Sequence, residues 1–563
     1  MLLKTLKNRL DDYLVGKLKL AALEGITVEE PRNRKFGNLS TNTAMVLAPV
    51  MKKSPMEIAE MIEAEEISKW HEIENINIVK PGFINFDLKI RYLIGALGKI
   101  IGEKNGYGTN DTGKGVNIQL EFVSSNPTGD LHIGHGRWGA LGDSLVNIYA
   151  SNGYSVSKEY YVNDYGTQAA KFTECATALY RKRHGSDTGY PDDGYPEEVV
   201  SIAVEKLVGL YGDKFIDEDK KSSLKNPTAF KIEIMAIMVK HIKETLLMMG
   251  VRYDNWFSES SLYDENRFDR LVEELKKKDL VYNNENALWF RSSEYGDEKD
   301  RVIIRRGGEP TYFASDIMYL VSKVERGFDR IIYILGADHH GYVDRLKAVG
   351  KALDVEEGCL EIIIGQLVNI VKDGKAIKMS RRKGKLYTLR DLIKEVGKDA
   401  VRYFFISVSY ETPLDFDIGL AKQKSSKNPV YYIQYAHARI ESIYKKVKKE
   451  KPEGFDIQDM SIERIDLDDI KLESESEKEI AKVLLLYPDT VYSSCKNNAP
   501  HFISQYLFRL STQFHHFYNK HRILTEKSGR TLVDKSKLSL VVLVQKVLQN
   551  ALELINISAP KKM

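Results

Sequence analysis

The sequence has no long hydrophobic run. None of its apolar stretches approaches the roughly 20 residues that are needed to cross a bilayer. Asp11 and Asp12 interrupt the leucine-rich N-terminal stretch at the place where a signal peptide would need an unbroken apolar block. These features disfavour membrane and exported proteins. We expect a cytoplasmic protein that has no membrane partner.

Cysteine is also scarce. The 563 residues include three cysteines, Cys175, Cys359 and Cys495, which lie far apart in the chain. They form neither a CxxC pair nor the closely spaced Cys and His ligands of a zinc site. We expect them to be reduced and structural, and we expect neither zinc nor a prosthetic group.

An excess of charge of one sign is missing too. The 83 Lys and Arg residues nearly balance the 80 Asp and Glu residues, and the formal net charge is +3. A polyanionic partner such as a nucleic acid can therefore not be inferred from the global charge. Any such inference must rest on local clusters of charge.

A chain of this length requires several domains, because a single hydrophobic core does not grow to this size. Residues 1–108 begin with leucines at helical spacing and end with an alternating segment, residues 83–88, which predicts an α+β module. Residues 109–365 predict an α/β catalytic domain of the Rossmann type. In it, residues 116–122, 134–150 and 156–162 have the patterns of a strand, a helix and a parallel strand.

The remainder of the chain contains three further predicted regions. A helical insertion into the α/β domain is expected at about residues 169–260, after which strands resume at residues 302–304, 331–335 and 362–365. Residues 366–424 would hold a hairpin around Asp373-Gly374 and a connecting region. Residues 425–563 predict an all-α bundle whose first long helix starts at Pro429, with a solvated acidic loop at residues 453–477.

The segment His132-Ile133-Gly134-His135-Gly136 lies between the first predicted strand of the α/β domain and the following helix. Free N–H groups at a helix start attract phosphate, and glycines let a nucleotide approach the backbone. Two histidines at this point could donate hydrogen bonds to an α-phosphate as its charge spreads in a transition state. Taken alone, these few residues favour an ordinary capped helix.

A cationic segment, Lys378-Met379-Ser380-Arg381-Arg382-Lys383-Gly384-Lys385, follows the predicted hairpin far downstream. Such a loop can close over a triphosphate and stabilise departing pyrophosphate. An exposed basic turn would have the same composition. The two segments strengthen each other, since the first follows an early strand of the nucleotide fold and the second follows its last strand.

Together the two segments resemble the HIGH and KMSKS signatures of class I aminoacyl-tRNA synthetases. Further phrases, in order over most of the chain, resemble the arginyl-tRNA synthetases of that class. They are residues 121–129 (EFVSSNPTG), 161–166 (YVNDYG), 256–260 (WFSES), 336–341 (GADHHG) and 428–439 (NPVYYIQYAHAR), with residues 35–38 (KFGN) in the N-terminal module.

The resemblance implies an ATP-dependent arginine–tRNA ligase. Such an enzyme forms arginyl-adenylate from L-arginine and ATP, transfers the arginine to the 3′ end of tRNA(Arg), and releases AMP and diphosphate. ATP with Mg²⁺ would be the co-substrate, tRNA(Arg) and L-arginine the partners, and we expect a monomer. The C-terminal bundle would bind the anticodon, and the N-terminal module would contact the tRNA elbow.

The resemblance also assigns roles to individual residues. Candidate catalytic residues, which act by positioning and charge stabilisation, are His132, His135, Lys378 and Arg381. Candidate ATP-binding residues are Gly134, Gly136, Met379, Ser380 and His340. Candidate arginine-binding residues are Glu121, Ser124, Asn126, Tyr312, Asp316 and His339. Candidate tRNA-binding residues are Tyr431, Tyr435, Arg439 and Asn38.

The proposed arginine pocket has a physical rationale. A guanidinium is best neutralised by a carboxylate in bidentate contact, and Tyr312 and Asp316 would share one face of a helix. From the residues alone, a water-exposed Asp316 at a helix start is the simpler interpretation, and the resemblance reverses this preference. Adjacent His339 and His340 do not predict a metal site, because neighbouring side chains diverge and no ligand pair at zinc spacing accompanies them.

Two alternatives stay open at this point. Arg381 stands where the family signature has its second lysine, and a planar fork is not equivalent to a compact ammonium. This departure allows a catalytically inactive tRNA-binding paralogue. A nucleotidyltransferase of the same superfamily that acts without RNA is the other alternative, although the long helical C-terminal region argues against it. At least half of the tyrosines near Tyr431 are expected to be core residues.

Overall fold

The computed structural model describes residues 1–20, 24–31, 33–186, 189–217, 223–372, 375–377, 387–453, 455–527 and 530–563. These residues form two units. The first comprises Met1–Asn110, Lys424–Leu554 and Ser558–Met563, and the second comprises Asp111–Gln423 and Ile555–Ile557. No helix within these described ranges is both long enough and apolar enough to span a bilayer.

The N-terminal part of the first unit is an antiparallel sheet accompanied by helices. Its elements are α1 (Leu2–Gly16), β1 (Val28–Glu29), β2 (Leu39–Thr41), α2 (Thr43–Met51), α3 (Pro55–Glu65), β3 (Ile73–Val79), β4 (Phe83–Leu88) and α4 (Ile90–Glu103). The strands pair in the order β1-β2-β4-β3. The predicted strand at residues 83–88 is confirmed as β4, and leucines of the predicted first helix are buried.

The second unit is an α/β structure with a helical insertion. Its elements are β5 (Asn117–Phe122), α5 (Ile133–Ser151), β6 (Ser155–Val162), α6 (Gly166–Arg183), α7 (Glu197–Tyr211), α8 (Pro227–Met248), β7 (Asn255–Ser258), α9 (Arg267–Lys277), β8 (Val281–Asn284), β9 (Ala287–Phe290), β10 (Arg301–Ile304), α10 (Tyr312–Glu325), β11 (Arg330–Gly336), α11 (Val343–Ala352), β12 (Leu360–Gly365), β13 (Val368–Lys372), β14 (Lys375–Ile377), α12 (Leu389–Val396), α13 (Lys398–Phe405), β15 (Leu414–Asp417) and α14 (Ile418–Ala421).

The main sheet of this unit is parallel throughout, with the strand order β12-β11-β5-β6-β7. The chain runs from β5 outward to β7 and then returns to the other side of β5 through β11. The strand order therefore reverses between β5 and β11, and in open α/β sheets the carboxyl ends at such a reversal form a crevice that binds ligands. The predicted Rossmann-type sheet and its first strand-helix-strand crossover are confirmed.

Three details of the α/β region differ from the sequence-based expectation. Strand β7 lies inside the range predicted for the helical insertion and joins the parallel sheet, so the insertion is already complete at α8. Strand β10 does not belong to the parallel sheet, because it forms a separate antiparallel sheet in the order β10-β9-β8. The predicted hairpin is confirmed as β13 and β14, and β13 also pairs in parallel with β15.

The C-terminal part of the first unit is a helical bundle. Its elements are α15 (Pro429–Glu450), α16 (Glu475–Leu485), α17 (Tyr487–Lys496), α18 (His501–Lys520), β16 (Leu524–Lys527), β17 (Arg530–Val533) and α19 (Lys535–Leu554). Helix α15 starts at Pro429 as predicted, with Asn428 as its N-cap. The bundle is not purely helical, because β16 and β17 form an antiparallel hairpin. The acidic stretch is not wholly solvated either, since Ile470 and Leu472 are buried.

Within the first unit the bundle completes the hydrogen bonding of the N-terminal part. The Oδ1 atom of Asp489 in α17 accepts a hydrogen bond of 3.1 Å from the backbone N–H of Lys4, in the first turn of α1. A carboxylate at this position satisfies a helix N–H that has no partner within the helix. The hydroxyl of Tyr107 likewise donates to the carbonyl oxygen of Leu484 at 2.9 Å. Both contacts join segments that are distant in the sequence.

Candidate active site

A cavity of about 310 Å³ opens at the carboxyl ends of β5 and β11, where the strand order reverses. Its walls come from β5 and the loop after it, the start of α5, the end of β6, α10, the end of β11 and the start of α11. Seven of the residues predicted from the sequence line it together: Glu121, Ser124, His132, His135, Tyr312, Asp316 and His339. The fold thus brings the first signature segment and the candidate arginine contacts to one cavity.

The two histidines of the first signature segment are held by the start of helix α5. His132 is the N-cap, and its Nδ1 accepts a hydrogen bond of 3.3 Å from the backbone N–H of His135. In return, the Nδ1 of His135 accepts a hydrogen bond of 3.2 Å from the backbone N–H of His132. This is a reciprocal capping box made of two imidazoles. The rings stack with their centroids 3.5 Å apart.

This arrangement determines the chemistry that the two imidazoles can perform. Burial lowers the pKa of both histidines, that of His135 well below its usual value, so both rings are neutral near pH 7. In each neutral ring Nδ1 accepts a backbone hydrogen bond, and the proton therefore resides on Nε2. The pair presents two neutral N–H donors, which suits a phosphate oxygen that gains charge.

Asp316, in the second turn of α10, lines another part of the cavity. Its carboxyl group interacts with the Tyr342 hydroxyl, and burial raises its pKa to about 7. Tyr312, one turn earlier on the same face, is 53% exposed at the rim, and its hydroxyl lies 2.7 Å from the Thr167 hydroxyl. A buried acid that is partly protonated when the cavity is empty is well suited to accept a cation that supplies compensating charge.

Glu121, the residue before the last one of β5, lines the cavity, and its charge is balanced within the protein. Its Oε2 accepts a hydrogen bond of 2.6 Å from Lys323, and its Oε1 accepts one of 2.8 Å from the hydroxyl of Ser124. Lys323 is completely buried and also lies over the Tyr333 ring, with 3.5 Å from Nζ to the centroid. The pair fixes Ser124 at the cavity wall.

Lys323 was not among the residues predicted from the sequence, although a signal for it existed. Lys323 follows Asp316 by seven residues, and Asp316 follows Tyr312 by four, so all three lie on one face of α10. A lysine on the same stripe as the predicted pocket residues indicates a buried partner. The partner itself could not be identified from the sequence, because Glu121 is 202 residues away from Lys323 in the chain.

Glu259 was also missed as a candidate, although it lies in one of the family-like phrases. It is 2% exposed, and its Oε2 has no hydrogen-bond partner among the described residues. Burial raises its pKa to about 7, and the negative charge of Asp164 adds to this effect, while hydrogen bonds from Ser315 and Tyr161 oppose it. The negative charge of Glu259 in turn raises the pKa of Asp316, so this second acid acts electrostatically on the carboxyl group that lines the cavity.

Four of the candidate ATP and arginine contacts in the described ranges do not line the cavity. Asn126 is hydrogen-bonded to Asn163, which does line it, and to Gln168, both at 2.5 Å. Gly134 lies against the His132 ring, and a Cβ atom on Gly136 would be 2.4 Å from a methyl group of Leu389. Gly136 therefore allows α5 to pack closely on α12. The fourth residue is His340, in the 3-10 turn that follows β11.

The second signature segment, with Lys378, Met379, Ser380 and Arg381, lies outside the described residues. The structure describes the element on each side of it, β14 and α12. The backbone N–H of Leu389, the first residue of α12, donates a hydrogen bond of 2.9 Å to the carbonyl oxygen of Leu131. Helix α12 therefore begins directly beside the first signature segment.

The candidate tRNA contacts belong to the other unit. On α15, Tyr431 and Tyr435 stack with their centroids 6.1 Å apart, and Arg439 donates to the Tyr435 hydroxyl at 3.1 Å. The guanidinium also lies over the Tyr435 ring, at 4.7 Å from its centroid. The expectation that half of these tyrosines are core residues is wrong, since Tyr431 and Tyr432 are half-buried and Tyr435 is exposed. Asn38 uses its Oδ1 to accept a hydrogen bond of 2.9 Å from Leu88 of β4.

Comparison with known proteins places this geometry in a family. Residues 97–405 match the model of the class I tRNA synthetase (R) catalytic domain, residues 2–88 that of the arginyl tRNA synthetase N-terminal domain, and residues 433–563 that of the DALR anticodon-binding domain. The arginine–tRNA ligase of Listeria monocytogenes serotype 4b (strain CLIP80459) is 42% identical over 550 residues, which cover 97% of this chain and 96% of that protein. The chain belongs to the arginyl-tRNA synthetase family.

Two further comparisons extend this result. The arginine–tRNA ligase of Bacillus subtilis (strain 168) is 39% identical over 568 residues, with 99% of each chain covered. The solved structure of Thermus thermophilus arginyl-tRNA synthetase superposes with a TM-score of 0.74, at 20% identity and with 100% of each chain covered. This second likeness concerns the fold. Both similarities extend over the whole chain, so the arginyl-tRNA synthetase architecture includes the N-terminal and C-terminal regions.

Proposed function

We propose that this chain is an arginine–tRNA ligase that uses ATP to activate L-arginine and attaches it to the 3′ end of tRNA(Arg). The observation that carries this proposal is one cavity with two complementary walls. One wall presents the neutral N–H donors of His132 and His135 to a phosphate. The other presents the buried carboxyl group of Asp316 to a guanidinium.

The reaction has two steps. In the first, a carboxylate oxygen of arginine attacks the α-phosphorus of ATP, and the bond to the departing diphosphate breaks. In the second, a hydroxyl group of the terminal tRNA ribose attacks the arginyl carbonyl carbon, and AMP leaves. Neither step needs a covalent enzyme intermediate. The protein therefore acts by positioning the reactants and by stabilising the charge that develops on the phosphate.

His132 and His135 donate from Nε2 to the α-phosphate oxygens as the first step proceeds. Because the rings are neutral before the reaction, they stabilise the transition state by hydrogen bonding and not by full positive charge. Lys378 and Arg381 would neutralise the departing diphosphate, and Gly134, Gly136, Met379, Ser380 and His340 are the other proposed ATP contacts. The assignments of Lys378, Arg381 and these five ATP contacts rest on the family resemblance.

Arginine lies with its guanidinium against Asp316, and its binding displaces the proton that the empty cavity retains. Tyr312 covers the cation at the rim. Glu121 contributes through Ser124, which it holds in place while Lys323 balances its charge. Asn126 acts through Asn163, to which it is hydrogen-bonded, and His339 completes the proposed set.

The proposed domains are residues 1–108 for the tRNA elbow, 109–365 for catalysis, 366–424 for the second signature segment, and 425–563 for the anticodon. The matches at residues 2–88 and 433–563 support the N-terminal and C-terminal domains, whereas the catalytic-domain match at residues 97–405 extends across the boundaries proposed after residues 108 and 365. Tyr431, Tyr435 and Arg439 would hold unpaired bases and phosphates, and Asn38 would contribute from the N-terminal module. The helical insertion ends near residue 250, since β7 follows it.

Magnesium enters this proposal as the companion of the ATP phosphates. Among the residues that the structure describes, no group of three or more His, Cys, Asp and Glu side chains is arranged to hold a metal ion. Mg²⁺ commonly reaches such a site together with the nucleotide phosphates, and no step is assigned to it. We further propose that the enzyme is a monomer and acts in the cytoplasm.

The proposal is tested by ATP–diphosphate exchange with each amino acid, with and without tRNA, followed by charging of tRNA(Arg). We expect exchange that depends on arginine, and arginine attached to the tRNA. Binding of tRNA without exchange for any amino acid would contradict the proposal and would favour the inactive paralogue. Exchange that depends on another carboxylic acid and needs no RNA would favour the nucleotidyltransferase alternative.

A further inference from the structure

Helix α8 of the insertion contacts both chain segments that flank the active-site loops. The segment that precedes His132 meets α8 through Asp130, whose Oδ1 lies 2.6 Å from the Nε2 of His241. The other ring nitrogen of His241, Nδ1, lies 3.4 Å from the Nζ atom of Lys206. His241 is 7% exposed, so this contact is largely shielded from water.

The chain that follows the second signature segment meets α8 one turn later. Arg390, in the first turn of α12, donates from Nη2 and Nε to the hydroxyl oxygen of Thr245, at 2.8 and 3.2 Å. Its Nη2 also lies 3.3 Å from the carbonyl oxygen of His241 and 3.9 Å from Glu244. Thr245 is 1% exposed, so the guanidinium is hydrogen-bonded to a buried hydroxyl group.

A third contact joins the two flanking segments directly to each other. The backbone N–H of Leu389 donates to the carbonyl oxygen of Leu131, so α12 starts directly beside the residue that precedes His132. The packing of Leu389 against Gly136 strengthens the same junction. Asp130, Leu131, His241, Thr245, Leu389 and Arg390 thus form one connected set, which we call the α8 junction.

We propose that Arg390 and Thr245 are positioning residues for adenylate formation: through the α8 junction, the insertion fixes where α12 begins relative to the histidines of α5. This inference rests on the proposed function. Neither residue lines the cavity. They act on catalysis because groups that serve one transition state must be held to within a fraction of an ångström by surrounding contacts.

The contacts of the junction predict a particular kinetic pattern. The arginine wall is built on α10 and β5, which the junction does not include, so arginine binding should not depend on it. In the proposed function the donors on α5 act on the triphosphate, and α12 packs against α5 through Leu389 and Gly136. Loosening the junction therefore lowers kcat and leaves the KM for arginine nearly unchanged, which is the mark of an interaction that matters in the transition state.

The test uses Thr245→Val, which keeps the shape of the side chain and removes the acceptor of both Arg390 hydrogen bonds. In arginine-dependent ATP–diphosphate exchange we expect kcat to fall about tenfold, the size expected for losing hydrogen bonds to a charged group, with the KM for arginine within about twofold of wild type. Thr245→Ser keeps the hydroxyl and should restore most of kcat.

Thr173→Val is the matched control. Thr173 lies in α6 of the same insertion and its hydroxyl bonds to the carbonyl oxygen four residues earlier, as that of Thr245 does, but no guanidinium contacts it among the described residues. A wild-type kcat in Thr245→Val, or equal losses in Thr245→Val, Thr245→Ser and Thr173→Val, would overturn the inference. If Thr245→Val does not fold, Arg390→Lys tests the same contact, since a single ammonium group cannot reproduce both hydrogen bonds of the guanidinium. Absence of arginine-dependent exchange in the wild type when tRNA(Arg) is present would instead defeat the proposed function.

Discussion

Lys323 donates a hydrogen bond of 2.6 Å to Glu121, and the two side chains are 0% and 6% exposed. A buried pair of this kind contributes little compared with two apolar residues, but removing one partner leaves an uncompensated charge in the interior. Burial lowers the pKa of Lys323, and the nearby carboxylates of Glu121 and Glu159 oppose this decrease. The pair therefore couples the stability of α10 to the end of β5.

We predict that Lys323→Met destabilises the second unit by about 3–5 kcal/mol, because Glu121 is left buried and unpaired. The measurement is the midpoint of thermal unfolding followed by circular dichroism. The double variant Lys323→Met with Glu121→Gln should recover most of the loss. Lys276→Met, at an exposed position on α9, should change stability by less than about 0.5 kcal/mol. A double variant no more stable than Lys323→Met would argue against charge as the cause.

Asp316→Asn should weaken the response to arginine while leaving the response to ATP nearly unchanged. The variant keeps the size of the side chain but offers no negative charge to the guanidinium. A lost charged contact of this kind costs about 2–5 kcal/mol, so the kcat/KM for arginine should fall by between about 30-fold and several thousandfold. Steady-state exchange at varied arginine measures this. Glu325→Gln, at an exposed position on the same helix, should behave as wild type.

The response to arginine should also depend on pH. The pKa of Asp316 is raised to about 7 by burial, so in the empty enzyme the carboxyl group is protonated below this pH, and a proton competes with the guanidinium. The kcat/KM for arginine should therefore fall as the pH decreases from 8 to 6, approaching about tenfold per pH unit on the acid side. A flat profile in the wild type would contradict this assignment.

Glu259→Gln should shift that profile to lower pH. The negative charge of Glu259 helps to raise the pKa of Asp316, so a neutral amide at residue 259 makes Asp316 easier to ionise. The same titration of kcat/KM provides the measurement. A profile that moves to higher pH, or does not move, would show that the two carboxyl groups are not coupled in this way.

His135→Ala should lower kcat for arginine-dependent exchange by about 10²–10³-fold, the cost of removing one donor to a developing oxyanion. The KM for arginine should change little, since the imidazole belongs to the phosphate wall. Because the ring is neutral already, acid should not enhance the rate between pH 8 and pH 6. His71→Gln, at an exposed position of the N-terminal part, is the control.

Tyr435→Ala should weaken tRNA binding by about 1–3 kcal/mol if the ring stacks on an unpaired base. Tyr435→Phe keeps the ring and loses only the hydroxyl that accepts the hydrogen bond from Arg439, so it should bind nearly as well as wild type. Filter binding of labelled tRNA(Arg) distinguishes the two. Equal losses in both variants would point to the hydroxyl and not to stacking.

The parts of the fold that were predictable are those with local signals. The crossover from β5 through α5 to β6 was predictable because an alternating segment, a glycine-containing loop and a segment with helical spacing follow one another directly in the sequence. Strand β7 was absorbed into the insertion because four half-buried residues give no clear alternation. The β16–β17 hairpin was overlooked although Ser528-Gly529 is a turn signal.

The candidate site also has features that could be predicted from the sequence and features that could not. The histidines and Asp316 could be proposed because each belongs to a short, ordered phrase. The balance of charge around Glu121 could not, because it depends on a lysine that only the packing of α10 against β5 brings near. The neutral form of His132 and His135 follows from burial, and their tautomer follows from mutual capping; no sequence pattern reveals either. Sequence identifies the participants here, and the fold determines their protonation.

The hydrogen bond from the Lys4 backbone to Asp489 has a consequence for the growing polypeptide. The donor and the acceptor are 485 residues apart, and translation adds roughly 5–20 residues per second. During synthesis the first helix therefore waits on the order of half a minute or longer for the carboxylate that completes its opening turn. The N-terminal region leaves the ribosome first, yet it is among the last parts of the chain to acquire its full set of native contacts.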